Sequence, residues 1–240
     1  MTAAEPIDYF ANHARARQFP WTLYHRPLER DLAGFLARVA DEHPRGEVLI
    51  VGCGLLHEID GAPAGLRFHV ADIDDRAVAA VLARRDPRIT GGTVVTAEQP
   101  IDGCLAARAP TDRSPGGRGG RGERTAGGFA AIYAKEVVEH VLAWPGWLAG
   151  LRRTLVPGGR LWLSTPNYGE PWLAALESTV LELVARRSGF SRRDLHPTRF
   201  SRRSLARGLR AAGFDDVAVQ VMSSRLALTA WARAPAPASR

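Results

Sequence analysis

Three side chains of types that bind metal ions lie close together in the segment Glu136-Val-Val-Glu139-His140. Glu136, Glu139 and His140 occupy positions i, i+3 and i+4, and on a helical turn such positions share one face. Two carboxylates and an imidazole suit Mg²⁺, Mn²⁺ or Zn²⁺. The spacing therefore indicates a candidate divalent metal site. The alternative is that Glu139 and His140 only hydrogen-bond and pack.

A second group of candidate residues begins with the turn Gly52-Cys53-Gly54, which follows a short apolar run. Glycine lets the backbone bend sharply and lets a ligand approach closely. Asp72 stands twenty positions after the first glycine, a spacing that suits a carboxylate gripping the ribose hydroxyls of a nucleoside. Asp74 and Asp75 are alternatives for that contact, and a tight turn beside a solvated Asp is the structural alternative. A dinucleotide fingerprint would need a third glycine where His57 stands, so a nicotinamide cofactor is not favoured.

The elements that must position these residues are read from the apolar periodicity of the chain. Predicted strands alternate with helical patterns, and they cover residues 47–51, 66–71, 92–96, 129–133 and 160–164. Predicted helices include residues 75–84, 172–187 and a segment capped by Ser201. Repeated strand–helix units predict an α/β fold whose parallel sheet is covered on both faces and binds ligands at its carboxyl edge. Alternating residues on either side of Ser223-Ser224 predict a terminal hairpin.

The composition is that of an ordinary globular protein, with 45% hydrophobic and 24% charged residues among 240. No stretch approaches the roughly 20 apolar residues of a membrane helix. The N-terminus lacks the basic and apolar regions of a signal peptide. Cys53 and Cys104 are too few for a disulfide framework or a cysteine-built zinc site. We therefore expect a soluble, cytoplasmic protein with no membrane partner.

A net charge of +7 favours binding of polyanions, so a polyanionic partner has to be considered. Lys135 is the only lysine, and the strong preference for arginine is typical of a GC-rich genome. The arginines between positions 186 and 210 could hold phosphates or form a solvated face, and no aromatic residues interleave regularly with them. Nucleic acid is therefore a candidate partner that is not favoured.

Two segments stand apart from the predicted strand–helix units. Residues 6–43 read as two helices separated at Pro20. Residues 108–128 are rich in Gly, Arg, Pro and Ser and contain no large apolar side chain, so they cannot bury enough surface to offset their ordering entropy. We predict a disordered surface loop there.

The chain resembles the class I S-adenosylmethionine-dependent methyltransferases in five segments, which are VLIVGCG, VADID, FAAIYAKEVVEHV, LRRTLVPGGRLWLSTPN and HPTRFSRRSLARGLRAAGF. It is most similar to the branch that includes ubiquinone-biosynthesis and natural-product enzymes. The resemblance runs from about Val48 to Arg233. It implies a Rossmann-like, seven-stranded, mostly parallel sheet with helices on both faces and an antiparallel terminal hairpin strand. Residues 46–240 would form the methyltransferase domain, and residues 1–45 a helical lid segment.

The resemblance also implies S-adenosylmethionine as the cofactor. The glycine turn would face its amino-acid portion and Asp72 its ribose. The chain departs from the family pattern at Ile50, where an acid is usual, and after the third strand, where Thr96, Ala97 and Glu98 stand in place of an Asp that meets adenine. The expected cofactor contacts are Gly52, Cys53, Gly54, Asp72, Ile73, Glu98 and Lys135.

The E-x-x-E-H pattern is similar to the metal-binding segment of two subgroups, the ubiquinone-pathway O-methyltransferases and the small-RNA terminal 2′-O-methyltransferases. The second subgroup adds a later histidine, a part that His196 could play. The implied metal ligands are Glu136, Glu139, His140 and His196. His140 or His196 is also a candidate catalytic base, because an unperturbed imidazole titrates near neutrality. The alternative for each is a structural histidine.

Three functions follow from these residues. The first is methyl transfer from S-adenosylmethionine to a small-molecule acceptor at a hydroxyl, with His140 or His196 removing the proton. The second is a metal-dependent RNA terminal 2′-O-methyltransferase. The third is a methyltransferase-like domain that binds a nucleoside or a partner without catalysis. We expect the first.

Overall fold

The computed structural model describes residues 22–96, 101–106, 128–176, 179 and 196–236. The strands are β1 (Glu47–Val51), β2 (Arg67–Asp72), β3 (Ile89–Val94), β4 (Phe129–Lys135), β5 (Leu155–Pro166), β6 (Asp215–Val221) and β7 (Ala227–Arg233). The α-helices are α1 (Thr22–Glu42), α2 (Asp75–Ala83), α3 (Ile101–Ala106), α4 (Trp144–Thr154), α5 (Pro171–Leu176) and α6 (Arg202–Ala211). Two short 3₁₀ helices cover Glu58–Gly61 and Val138–His140.

The seven strands form one sheet in the order β3-β2-β1-β4-β5-β7-β6. Strands β1 to β5 are parallel to one another, and β7 lies antiparallel between β5 and β6. The predicted α/β class, the seven strands and the antiparallel terminal hairpin are therefore confirmed. The carboxyl ends of β1, β2 and β4 are neighbours in this order, so the residues that follow these strands meet at one edge of the sheet.

The apolar run of β1 contributes to the two larger hydrophobic clusters of the described residues. Val48 and Ile50 pack into the cluster that contains the buried face of α1, including Phe35. Leu49 and Val51 pack into the cluster on the opposite face, with residues of α4 and α6. Successive side chains of a strand point to opposite faces, so a strand in the middle of a covered sheet must be apolar throughout.

Strands β3 and β5 differ from their predicted bounds. β3 begins at Ile89 rather than at position 92, because its pairing with β2 starts at Phe68 across a bulge. β5 begins at Leu155, directly after α4, rather than at position 160, and so includes Pro157-Gly-Gly159. The register between β4 and β5 shifts between Phe129 and Ala131, which lets the Pro-Gly-Gly turn be accommodated as an irregularity within the strand.

Several predicted features lie outside the described residues. These are the N-terminal segment before position 22, nearly all of the Gly/Arg-rich segment 108–128, and the predicted helix beyond Leu176 apart from residue 179. The division into segments 1–45 and 46–240 stays a prediction. Among the described residues, no helix combines the length and the apolar character needed to cross a membrane.

Candidate functional site

The glycine turn leaves β1 at the carboxyl edge of the sheet. Gly52 and Gly54 have φ angles of 72° and 47°, in the left-handed region that favours glycine. A Cβ atom on Gly52 would overlap the side chain of Val137, which follows β4. The N–H of Gly52 donates to the carbonyl of Ala71 at 2.8 Å and ties the turn to the end of β2. Glycine at position 52 therefore allows the turns after β1 and β4 to lie in contact.

Asp72 ends β2 beside this turn and is 8% exposed. Its Oδ2 accepts the N–H of Gly54 at 3.0 Å, and its Oδ1 accepts the N–H of Asp74 at 3.0 Å. Asp74 instead caps α2 and forms an ion pair with Arg76. The Arg76 guanidinium lowers the pKa of the Asp74 carboxyl. Of the three carboxylates that the sequence left open, Asp72 is the one hydrogen-bonded to the glycine turn.

A cavity opens between the glycine turn, the end of β4 and the first turns of α1. Its lining residues are His25, Glu29, Gly52, Cys53, Leu55, Leu56, His57, Glu58, Tyr133, Lys135 and Glu136. Three of the expected cofactor residues, Gly52, Cys53 and Lys135, line it. The cavity is therefore the enclosed part of the candidate cofactor site.

Charged residues face one another across this cavity. The Nζ of Lys135 lies 2.6 Å from Oε1 of Glu58 and 3.7 Å from Oε1 of Glu29. Burial alone would raise the pKa of Glu58, but the ammonium of Lys135 outweighs it and the pKa is lowered. Burial, followed by the charge of Asp72, raises the pKa of the Cys53 thiol. The Cys53 side chain that lines the cavity is therefore uncharged at physiological pH.

Glu136 follows β4 in a left-handed conformation, with φ of 55°. Its Oε1 accepts the hydroxyl of Ser164 at 2.7 Å, and its Oε2 accepts the hydroxyl of Tyr24 at 2.5 Å. Burial is the main cause that raises the pKa of this carboxyl. The expected helical face shared with Glu139 and His140 does not form, because Glu136 has left-handed backbone geometry and the helix after it is a single 3₁₀ turn, Val138–His140.

Glu139, His140 and His196 form a cluster in which one potential ligand atom from each lies within 4.8 Å of the others. The Glu139 side chain is 1% exposed, and its carboxylate lies 4.0 Å from Nε2 of His140. The rings of His140 and His196 are 4.9 Å apart between centroids. The N–H of Thr198 donates to the carbonyl of Glu139 at 3.1 Å and holds the two segments together. The structure thus joins His196 to this cluster and leaves Glu136 out of it.

Ser164 and Tyr168 contact the candidate residues and were not among the side chains expected there. The hydroxyl of Tyr168 lies 2.6 Å from Nδ1 of His196. Ser164 and Tyr168 belong to the carboxyl end of β5 and the turn after it, within the quoted segment LSTPN and its continuation. Their position at the end of a predicted parallel strand was the signal that could have identified them.

The remaining expected cofactor residues are placed as follows. Ile73 follows Asp72 and is 61% exposed, so its side chain is available to a ligand that lies against the edge of the sheet. Glu98 lies outside the described residues.

A family model described as a methyltransferase domain matches residues 24–219, which include every described part of the site. No curated protein matches the chain significantly.

Solved structures share the fold at low sequence identity. The CurJ carbon methyltransferase is 16% identical with a TM-score of 0.60, covering 87% of this chain and 54% of that one. The N-methyltransferase NodS of Bradyrhizobium japonicum WM9, in complex with S-adenosyl-l-homocysteine, is 19% identical with a TM-score of 0.53, covering 93% and 96%. The magnesium protoporphyrin IX methyltransferase of Synechocystis PCC 6803, with the same ligand bound, is 17% identical with a TM-score of 0.56, covering 90% and 87%.

Proposed function

This chain belongs to the class I S-adenosylmethionine-dependent methyltransferases, and we propose that its acceptor is a small molecule methylated at a hydroxyl oxygen. Membership of the family confirms the expectation of an enzyme that uses S-adenosylmethionine. The acceptor and the atom that receives the methyl group are the proposed part. The observation that supports this acceptor is the pair of histidines, His140 and His196, near the proposed cofactor site.

The residues at the glycine turn fit the cofactor. Gly52 and Cys53 line the cavity at the end of β1. Asp72 presents a carboxylate at the same place, and each of its oxygens keeps a lone pair beyond the backbone N–H that it accepts. We propose that Gly52, Cys53 and Gly54 hold the amino-acid portion and that Asp72 binds the ribose hydroxyls.

Ile73, Glu98 and Lys135 are proposed to complete the cofactor contacts. Lys135 lines the cavity, and Ile73 stands next to Asp72 with an exposed apolar surface. His25 and Glu29 of α1 line the same cavity, which supports the proposal that the N-terminal segment covers the active site.

When bound, S-adenosylmethionine supplies an electrophilic methyl group, so the protein has to align the acceptor and remove its proton. A hydroxyl acceptor must lose a proton, and His140 and His196 are the side chains proposed to take it. Tyr168 contacts Nδ1 of His196 and thereby orients the ring. If that nitrogen carries the proton, Nε2 of His196 is left with its lone pair as the base.

The test is turnover with acceptors of different chemistry. S-adenosylhomocysteine release would be measured with catechols and phenols, aliphatic alcohols and primary amines. We expect turnover with a hydroxyl class and a loss of 10²-fold or more in kcat for His140→Asn or His196→Asn. His43→Asn is the matched control, because His43 follows α1 at the amino end of β1. Turnover with amines alone would contradict hydroxyl methylation.

The cluster of Glu139, His140 and His196 favours a second candidate, a metal-dependent methyltransferase acting on vicinal hydroxyls. One carboxylate and two imidazoles within 4.8 Å are a donor set suited to Mn²⁺ or Zn²⁺. A metal there would bind substrate oxygens and lower the pKa of a hydroxyl. RNA ends, with two neighbouring hydroxyls, are the macromolecular acceptor in this class.

Chelation separates the two candidates. The metal-dependent enzyme should lose activity with EDTA and regain it with Mn²⁺, and Glu139→Gln should abolish calorimetric Mn²⁺ binding. Activity that chelator leaves untouched ends the metal proposal and leaves the histidine base. Steeply salt-dependent binding of RNA ends would favour the RNA acceptor.

A further inference from the structure

Glu136 occupies the boundary between the cofactor cavity and the side chains around the histidines. Its side chain lines the cavity together with Gly52, Cys53 and Tyr133. On its other side the carboxylate is bound to Tyr24, whose pKa is raised by burial first, then by Glu136, and also by Glu139 and Tyr168. Glu136 therefore borders the cavity on one side and, on the other, contacts Tyr24, which also senses the charge of Glu139.

The surroundings of Glu136 are arranged for an anion. Two hydroxyl groups donate to it, from Tyr24 to Oε2 and from Ser164 to Oε1. Each carboxylate oxygen thus has its own donor, an arrangement that favours the ionised form. The Ser164 hydroxyl also accepts the N–H of Glu136 at 3.1 Å, which fixes the direction of its own proton toward the carboxylate.

No cation among the described residues forms a direct ion pair with this carboxylate, although the charge of Lys135 acts to lower its pKa. The neighbouring Lys135 pairs with Glu58 and Glu29 instead, and none of the ion pairs among the described residues includes Glu136. A partly buried carboxylate without a counter-charge is costly, and burial accordingly raises its pKa. A cationic ligand centre in the cavity would remove that cost.

We infer that Glu136 is a specificity-determining residue that provides the counter-charge for the sulfonium of S-adenosylmethionine and so favours it over the neutral thioether of S-adenosylhomocysteine. The inference rests on the proposed placement of the cofactor in this cavity. Tyr24 and Ser164 are positioning residues that hold the carboxylate in place. Methyl transfer removes the positive charge from the sulfur, so the product loses the attraction that the substrate had and is released more readily.

The test compares the two ligands on the same protein by calorimetric titration. Glu136→Gln should weaken S-adenosylmethionine binding about tenfold and S-adenosylhomocysteine binding less than threefold. Glu136→Asp, which keeps the charge, should retain most of the wild-type ratio of the two dissociation constants. Glu58→Gln is the matched control, because it removes a carboxylate from the same cavity that Lys135 already neutralises. That control should shift the ratio of the two dissociation constants less than Glu136→Gln does, because Glu29 still faces Lys135.

Two results would overturn the inference. The first is an unchanged ratio of the two dissociation constants in Glu136→Gln. Equal weakening of both ligands belongs to this outcome, and it would assign the carboxylate to the amino group that the two ligands share. The second result is measured on the wild-type protein, so it also applies if Glu136→Gln does not fold. It is wild-type protein that binds S-adenosylhomocysteine more than tenfold more tightly than S-adenosylmethionine. Binding of neither ligand would instead contradict the proposed cofactor site itself.

Discussion

Replacing Asp72 by Asn tests whether the carboxylate at the end of β2 belongs to the cofactor site. Asp72 accepts the N–H groups of Gly54 and Asp74, each at 3.0 Å, and is almost fully buried. An amide keeps one oxygen acceptor but turns an NH₂ group toward the second backbone N–H. The substitution therefore removes one charge-assisted hydrogen bond and sets two donors against each other.

The expected magnitudes follow from these two bonds. A hydrogen bond to a charged group contributes about 1.5–3 kcal/mol, so we expect Asp72→Asn to lower the free energy of unfolding by about 2 kcal/mol. The ribose would lose a comparable bond to the missing carboxylate oxygen. Since about 1.4 kcal/mol corresponds to a tenfold change, the affinity for S-adenosylhomocysteine should fall more than tenfold.

Asp74→Asn is the matched control, because it changes a carboxylate two residues away that caps α2. It should lower the free energy of unfolding by less than about 1 kcal/mol, since Asn is also a good cap. Its affinity for S-adenosylhomocysteine should stay within threefold of the wild type. The assays are urea unfolding and calorimetric titration on the same samples. Unchanged affinity in Asp72→Asn, or an equal loss in both variants, would remove Asp72 from the ribose role.

Asp31→Ala should lower the free energy of unfolding by about 2–4 kcal/mol in urea, because Oδ2 of Asp31 accepts the indole N–H groups of both Trp162 and Trp231 and the variant leaves both without it. A loss below about 1 kcal/mol would show that this junction of α1 with the sheet contributes little. Asp86 has a pKa of about 2, lowered first by the side-chain hydrogen bond from Arg88, so its contribution is present above its unfolded pKa and is lost as pH falls toward 2. The destabilisation by Asp86→Asn should be at most about 2 kcal/mol at pH 6 and should shrink steadily below pH 4; a gap that stays constant over this range would contradict the ion pair.

Local patterns predicted much of the fold because they depend on neighbouring residues. The run from Glu47 to Val51 is a strand with the predicted bounds, since a central strand needs apolar residues on both faces and the glycines end it. Ser201 caps α6 as predicted, because a hydroxyl before a helix satisfies a free backbone N–H. The terminal hairpin followed from strict alternation on either side of two serines.

The sites were harder to predict because their members are distant in sequence. Tyr24 binds Glu136 across 112 positions, and Tyr168 binds His196 across 28. Nothing in the sequence around Tyr24 specifies that partner, since the contact depends on how α1 crosses the sheet. The expected grouping of Glu136 with the later ligands assumed a helical turn that the chain does not make.

The sequence by itself determined the strand–helix order, the glycine turn after β1 and the acid after β2, because periodicity, glycine and spacing along the chain are local properties. It also determined which residues carry ligand chemistry near the end of β4. Only the tertiary structure decided that His196 joins Glu139 and His140 while Glu136 turns to Tyr24 and Ser164. The physical reason is that Glu136 adopts a left-handed conformation before the 3₁₀ turn, and that a parallel sheet brings the ends of distant strands to one edge.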